Sequence, residues 1–218
     1  MKKLNRRDFF HSGCILAGSA ALVACTGDTG KTKELKEPGG ELPPSASSRS
    51  DLTVGMTREQ VMVLLDMKVG HYMQTTHHCA QSSFLALRDV FGFEDGAIVK
   101  ALTAVPGIAE KGETCGAVVG PLMAFGLLYG AGEPGDRSVY DRVLKPSGDF
   151  YDRVVETEGS TNCSELLESR LGQKLDLRKS EDLKAYRAAD GPARCTIIVQ
   201  NVVRIAAGII LDEQERRG

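Results

Sequence analysis

From residue 52 onward, apolar residues recur at intervals of three and four, and no stretch alternates apolar and polar residues between hairpin turns. That period predicts helices and no sheet. Thr57-Arg58-Glu59-Gln60 is a capping-box start for a helix carrying Val61, Leu64, Leu65 and Val69 on one face. A second helix carries Phe84, Leu87 and Phe91 and stops at Gly92, and Ala97 to Val105 is a short helix ended by Pro106-Gly107. Thr114 to Tyr129 is almost wholly apolar, which marks a core helix kinked at Pro121 and stopped at Gly130. Tyr140 to Glu156 reads as two helical pieces around Pro146-Ser147-Gly148. Asn162 to Leu171 is a short helix, and Ala193 to Leu211 an amphipathic one through Ile198, Val199, Val202, Ala206, Ile209 and Ile210. The stretch from Leu175 to Asp190 has no clear period. The fold class is all-α, a single compact domain of six to eight helices over residues 53–218.

The first residues follow a different pattern. Lys2, Lys3, Arg6 and Arg7 precede an apolar run from Cys14 to Ala24 that is too short for a stable membrane span, so residues 1–24 read as a signal peptide. Asn5-Arg6-Arg7-Asp8-Phe9-Phe10 resembles the twin-arginine export motif, with Asn5 and His11 departing from its usual residues. Leu22-Val23-Ala24-Cys25 resembles a lipobox, which makes Cys25 the lipidated first residue of the mature chain. The rest of residues 25–52 is rich in Gly, Pro, Ser and mixed charge, and reads as a disordered tether.

Composition changes the picture in two places. With 27 Lys and Arg against 29 Asp and Glu among 218 residues, the chain lacks the basic excess of a protein that neutralises phosphates, so nucleic acid is excluded as a partner. Six Cys are the informative count. Removing Cys14 with the signal and assigning Cys25 to lipid leaves Cys79, Cys115, Cys163 and Cys195 for the domain.

Each of these four lies at a predicted helix start. Cys79 follows Thr75-Thr76-His77-His78, and Cys115 follows Thr114. Cys163 follows the cap Asn162, which forms a box with Glu165, and Cys195 follows Asp190-Gly191-Pro192. Free N–H groups and the positive end of the helix dipole favour a thiolate there. Converging helices would gather four thiolates suited to a metal or an iron–sulfur cluster. No C-x-x-C pair supports this by spacing, and two structural disulfides of an oxidising compartment are the alternative. Twin-arginine export, which carries folded proteins, favours the bound centre.

These residues resemble the C_GCAxxG_C_C family of redox-active proteins. The likeness runs through His78-Cys79-Ala80-Gln81, then Gly112-Glu113-Thr114-Cys115-Gly116-Ala117-Val118-Val119-Gly120 with Leu127-Leu128-Tyr129-Gly130, then Gly159 to Leu167 around Cys163, and finally Cys195 with its apolar helix. Where the family has a run of Gly before its second Cys, this chain has Thr103-Ala104-Val105-Pro106-Gly107-Ile108. The family is similar to the cluster-bearing part of split-Soret cytochromes. That resemblance implies a [2Fe–2S] or [4Fe–4S] cluster ligated by Cys79, Cys115, Cys163 and Cys195. Covalent haem is not expected, since no C-x-x-C-H motif occurs.

His77 and His78, with His71 nearby, are secondary candidates for a metal set, with helix capping as their plainer role. The leading expectation is therefore an exported, membrane-anchored electron-transfer protein rather than an enzyme in the usual sense. Its partners would be a redox protein of the cell envelope, the membrane itself and, in a homodimer, a second copy. A thiol–disulfide protein with Cys115 as the reactive thiol is a second expectation. A disulfide-stapled envelope lipoprotein without catalysis is a third.

Overall fold

A computed structural model describes residues 51–94, 97–131, 135 and 137–217. Arg6, Arg7, Cys25 and residues 1–50 as a whole lie outside the described residues, and so do the expectations that fall on them. The domain is helical, with no strand among the described residues. Its helices are α1 (Arg58–Thr76), α2 (Cys79–Phe91), α3 (Ile98–Ala101), α4 (Gly116–Tyr129), α5 (Tyr140–Glu158), α6 (Cys163–Leu171), α7 (Ser180–Ala188) and α8 (Gly191–Arg217). A 3-10 turn at Leu102–Ala104 follows α3.

Capping residues set the helix starts. Thr57 Oγ1 accepts the Gln60 N–H at 3.2 Å while Gln60 Oε1 accepts the Thr57 N–H at 2.8 Å, so two of the free donors at the start of α1 are satisfied reciprocally. The helix then buries Val61, Leu65, Val69 and Met73, one residue per turn. It ends at His77, in the left-handed conformation, and α2 begins two residues later.

Helix α2 is the centre of the domain. It packs against α1, α4 and α8, and its buried residues run nearly without a break from Ala80 to Phe91. A helix buried on nearly every side, polar Ser82, Ser83 and Arg88 included, is an interior one. Phe84 on α2, Phe125 on α4 and Phe150 on α5 are wholly buried, and each burial contributes about 2 kcal/mol. The polar end of α2 is neutralised within the core: Asp89 accepts from Tyr72 Oη at 2.5 Å, Lys68 Nζ at 3.2 Å and Arg88 Nε at 3.0 Å.

One proline expectation resolves differently from the sequence pattern. Tyr140 to Glu158 is one helix, not two pieces. Pro146 removes one ladder bond, yet it stands in line with Phe150, Val154 and Glu158, all buried, and packing of that face outweighs the lost bond. Helix α4, expected as one helix, runs through Pro121 to its stop at Gly130. The stretch without a period contains α7.

Gly191–Arg217 is long and apolar enough to cross a membrane by length and composition alone. In the fold it is a core helix, burying Ile198, Val199, Val202, Val203, Ala206, Ala207, Ile209 and Ile210. Its polar side binds the neighbours: Arg204 pairs with Asp66 of α1, and Asn201 Nδ2 donates to the buried Glu158 at 2.7 Å beside Arg170.

Candidate cysteine site

The four cysteines arrive on four helices. Cys79 is the first residue of α2, Cys115 the N-cap of α4, Cys163 the first residue of α6 and Cys195 the fifth of α8. All four are free thiols lining one cavity of about 30 Å³, closed by Leu166, Leu167, Ile198 and Val199. Cys115 is buried, and the other three are partly exposed.

Local chemistry places each one. His78 caps α2: its Nδ1 accepts the Gln81 N–H at 3.3 Å and its Nε2 lies 3.2 Å from Thr103 O. Both ring nitrogens are thus engaged, and the Nε2–H tautomer satisfies both contacts. His77 sits on the rim of the neighbouring cleft, and His71 is exposed on α1. At α6, Asn162 Oδ1 accepts the N–H groups of Ser164 and Glu165 at 3.1 and 3.4 Å. The return half of the expected box runs through Ser160, whose Oγ accepts the Asn162 N–H and donates to Glu165 at 2.5 Å.

A short antiparallel bridge between Thr114 and Asn162 brings two of the cysteines together. The Cys115 N–H donates to Thr161 O at 2.8 Å, the Cys163 N–H to Glu113 O at 2.7 Å, and the Ser164 N–H to Gly112 O at 2.9 Å. The other approach is made by glycine. A Cβ on Gly116 would lie 2.6 Å from Cys79 Sγ, and one on Gly120 would overlap Ser83 Oγ, so α4 meets α2 at backbone distance along this face.

The thiols differ in charge preference. Cys79 is held below its ordinary value, first by the hydrogen bond from the Cys115 thiol and then by the N–H groups of Ala80, Gly116 and Ala117, which together outweigh burial. Cys115 is pushed well above its ordinary value by hydrogen bonding first to Cys163 and then to Cys79, its one thiol proton being shared between the two sulfurs, and by burial. Burial pushes Cys195 up to about 12, against a 3.3 Å hydrogen bond from Tyr186 Oη–H to its sulfur. The thiolate-favouring position is therefore Cys79. The expected reactive thiol, Cys115, is the proton donor beside it.

The loop before Cys115 holds a feature that the sequence does not announce. Gly107, Ile108, Ala109 and Glu110 all have positive φ, forming a left-handed turn closed by the Glu110 N–H on Pro106 O at 2.8 Å. For β-branched Ile108 (φ 48°, ψ 85°) this conformation costs about 1–3 kcal/mol. The turn abuts the site, since a Cβ on Gly107 would lie 3.2 Å from Cys163 Sγ.

On its open side the site faces a cleft of about 1540 Å³, whose walls include Cys79, Cys163, Cys195, Tyr186 and Arg178. As a donor set, four thiols with amide N–H groups directed at one sulfur fit an iron–sulfur cluster. Their spacing is that of hydrogen-bonded thiols around a water-sized space, and among the described residues no group of three or more His, Cys, Asp or Glu stands ready to hold a metal ion.

A helical domain that gathers four free thiols from distant parts of the chain, one favouring the thiolate and another donating to it, belongs to the class of cysteine-based redox proteins. The family model described as "Putative redox-active protein (C_GCAxxG_C_C)" matches residues 77–209, and the chain belongs to that family. Comparison with curated proteins finds no match, and comparison with solved structures finds none.

Proposed function

We propose that this protein is an electron carrier of the cell envelope, in which Cys79, Cys115, Cys163 and Cys195 hold an iron–sulfur cluster. The observation that carries the reading is the convergence of four thiols from four helices on one cavity. When bound, the cluster supplies a one-electron couple. The protein's own part is to direct the Ala80, Gly116 and Ala117 amides at the Cys79 sulfur, to exclude water with Leu166, Leu167, Ile198 and Val199, and to leave one side open to a partner through the cleft. Residues 1–24 would export the chain and Cys25 would anchor it, as their sequence pattern suggests.

The full-length protein, purified without oxygen, is expected to be coloured and to contain iron and acid-labile sulfide, and Cys115→Ser is expected to remove the colour. A colourless, metal-free protein would sink the reading. For export, Arg6→Lys with Arg7→Lys is expected to keep the protein in the cytoplasm, and Cys25→Ala to release it from the membrane fraction. Unchanged fractionation of these variants would refute that part.

One observation favours a second reading: the Cys115 thiol donates to a Cys79 sulfur that already favours the anion. Cys79 thiolate could attack a partner disulfide and expel one partner thiolate. Cys115, losing its proton, would then attack the Cys79 sulfur, forming the Cys79–Cys115 disulfide and releasing the second partner thiol. Two electrons reach the partner and none is left over. Peptide mapping after oxidation, showing a Cys79–Cys115 disulfide in metal-free protein, is the result that would favour this course.

A further inference from the structure

Cys195 differs from the other three cysteines in the origin of its hydrogen bond. The Cys115 thiol is hydrogen-bonded with Cys79 and Cys163, whereas the Cys195 sulfur accepts a hydrogen bond from the Tyr186 hydroxyl at 3.3 Å. Tyr186 lies on α7, the short helix in the stretch without a sequence period. Its ring occupies the space that a Cβ on Gly191 would need, at the first residue of α8, four residues before Cys195. The same side chain forms part of the cleft wall. Gly191 thus admits the ring, the ring is pinned between α7 and α8, and the hydroxyl is delivered to one sulfur.

We propose that Tyr186 is a positioning residue of the redox site: its hydroxyl holds Cys195 Sγ toward the cavity shared with Cys79, Cys115 and Cys163, and raises the reduction potential of the centre bound there. The inference rests on the cluster reading for its second half only. A hydrogen bond donated to a ligand sulfur stabilises the state with more electron density on sulfur, which is the reduced one. Removing the donor makes reduction harder.

The test uses Tyr186→Phe in the full chain, which keeps the ring over Gly191 and removes only the hydroxyl. In protein carrying the cluster, the midpoint potential is expected to be lower than in the natural protein, at unchanged iron content and unchanged thermal midpoint. An equal or higher potential overturns the tuning role. In metal-free, reduced protein, Cys195 is expected to react with iodoacetamide about twofold to tenfold more slowly than in the natural protein, relative to Cys79, the range of one ordinary hydrogen bond. An unchanged ratio overturns the contact itself.

Gly191→Ala, whose methyl would meet both the Tyr186 ring and the Tyr186 carbonyl oxygen and so shifts the residue instead of removing the hydroxyl, is expected to move both readouts in the same direction. If neither protein binds iron, the cluster reading fails, and the alkylation ratio still decides whether Tyr186 holds Cys195.

Discussion

The thiols of Cys115 and Cys163 are neighbours because the backbones that carry them exchange hydrogen bonds: the Cys115 amide donates to Thr161 O at 2.8 Å and the Cys163 amide to Glu113 O at 2.7 Å. This bridge joins the N-termini of α4 and α6 and leaves both side chains on one cavity. Cys79 joins them through the close contact of α2 with α4, and Cys195 through α8.

The α2–α4 contact gives the first prediction. Gly116→Ala would put a methyl 2.6 Å from Cys79 Sγ and 2.9 Å from both Cβ and N of Ala80, atoms that cannot yield without separating two core helices. We expect a loss of about 1–3 kcal/mol in urea unfolding, as for other overpacked cores, together with loss of any oxidative cross-link between Cys79 and Cys115. Stability and cross-linking equal to those of the natural protein would contradict the contact.

The thiols should also react in a fixed order. In reduced, metal-free protein at pH 8, iodoacetamide is expected to label Cys79 before Cys195, because Cys79 favours the thiolate and burial pushes Cys195 up to about 12. Cys115, buried and held protonated by its neighbours, should be labelled last. Peptide mass spectrometry over a time course reads the order, and a faster Cys115 would restore it as the candidate nucleophile.

Asp89 should make the domain sensitive to acid. Burial pushes its carboxyl up, but the hydrogen bonds from Tyr72, Arg88 and Lys68 outweigh burial and hold it below the ordinary value. A depressed carboxyl stabilises the fold fully above its unfolded pKa of about 4, and that stability is lost as pH falls through the lower folded value. The destabilisation by Asp89→Asn is therefore expected to be large at pH 7 and to shrink below about pH 4. A constant difference in urea midpoints between pH 7 and pH 3 would argue against this linkage.

Tyr129 carries the opposite expectation. Its hydroxyl is buried without a hydrogen-bond partner among the described residues, and burial pushes its pKa up to about 12. Tyr129→Phe removes the unsatisfied group while keeping the ring under the Arg217 guanidinium, which lies 4.9 Å from its centroid. A gain of about 1 kcal/mol is expected. A measured loss would mean that the hydroxyl has a partner in solution.

Much of this arrangement was legible where the physics is local. The Thr57 capping box, the caps at His78 and Asn162, and the stop at Gly92 are short-range signals, and the two caps at His78 and Asn162 put Cys79 and Cys163 at helix starts before any tertiary contact is considered. Cys195 lies a turn further in, because α8 begins at Gly191. The single helix through Pro146 was hidden, since its burial against the core is tertiary. So was the Thr114–Asn162 bridge, which pairs residues far apart in the chain, and so was Tyr186, on a helix without an apolar period. The left-handed turn at Gly107–Glu110 was obscured by Ile108 and Ala109, residue types that rarely adopt that conformation.

The burial of α2 on nearly every side has a consequence for any change of charge at its first residue. The amides around the Cys79 sulfur belong to α2 and α4, both anchored in the core, so they are already turned toward that sulfur before an electron or a proton moves. Water would have to reorient with each such event, whereas these dipoles are held in place. The interior that Phe84, Leu87 and Val90 fill thereby acts as a fixed solvent for the sulfur above it, one whose polarisation was set when the chain folded.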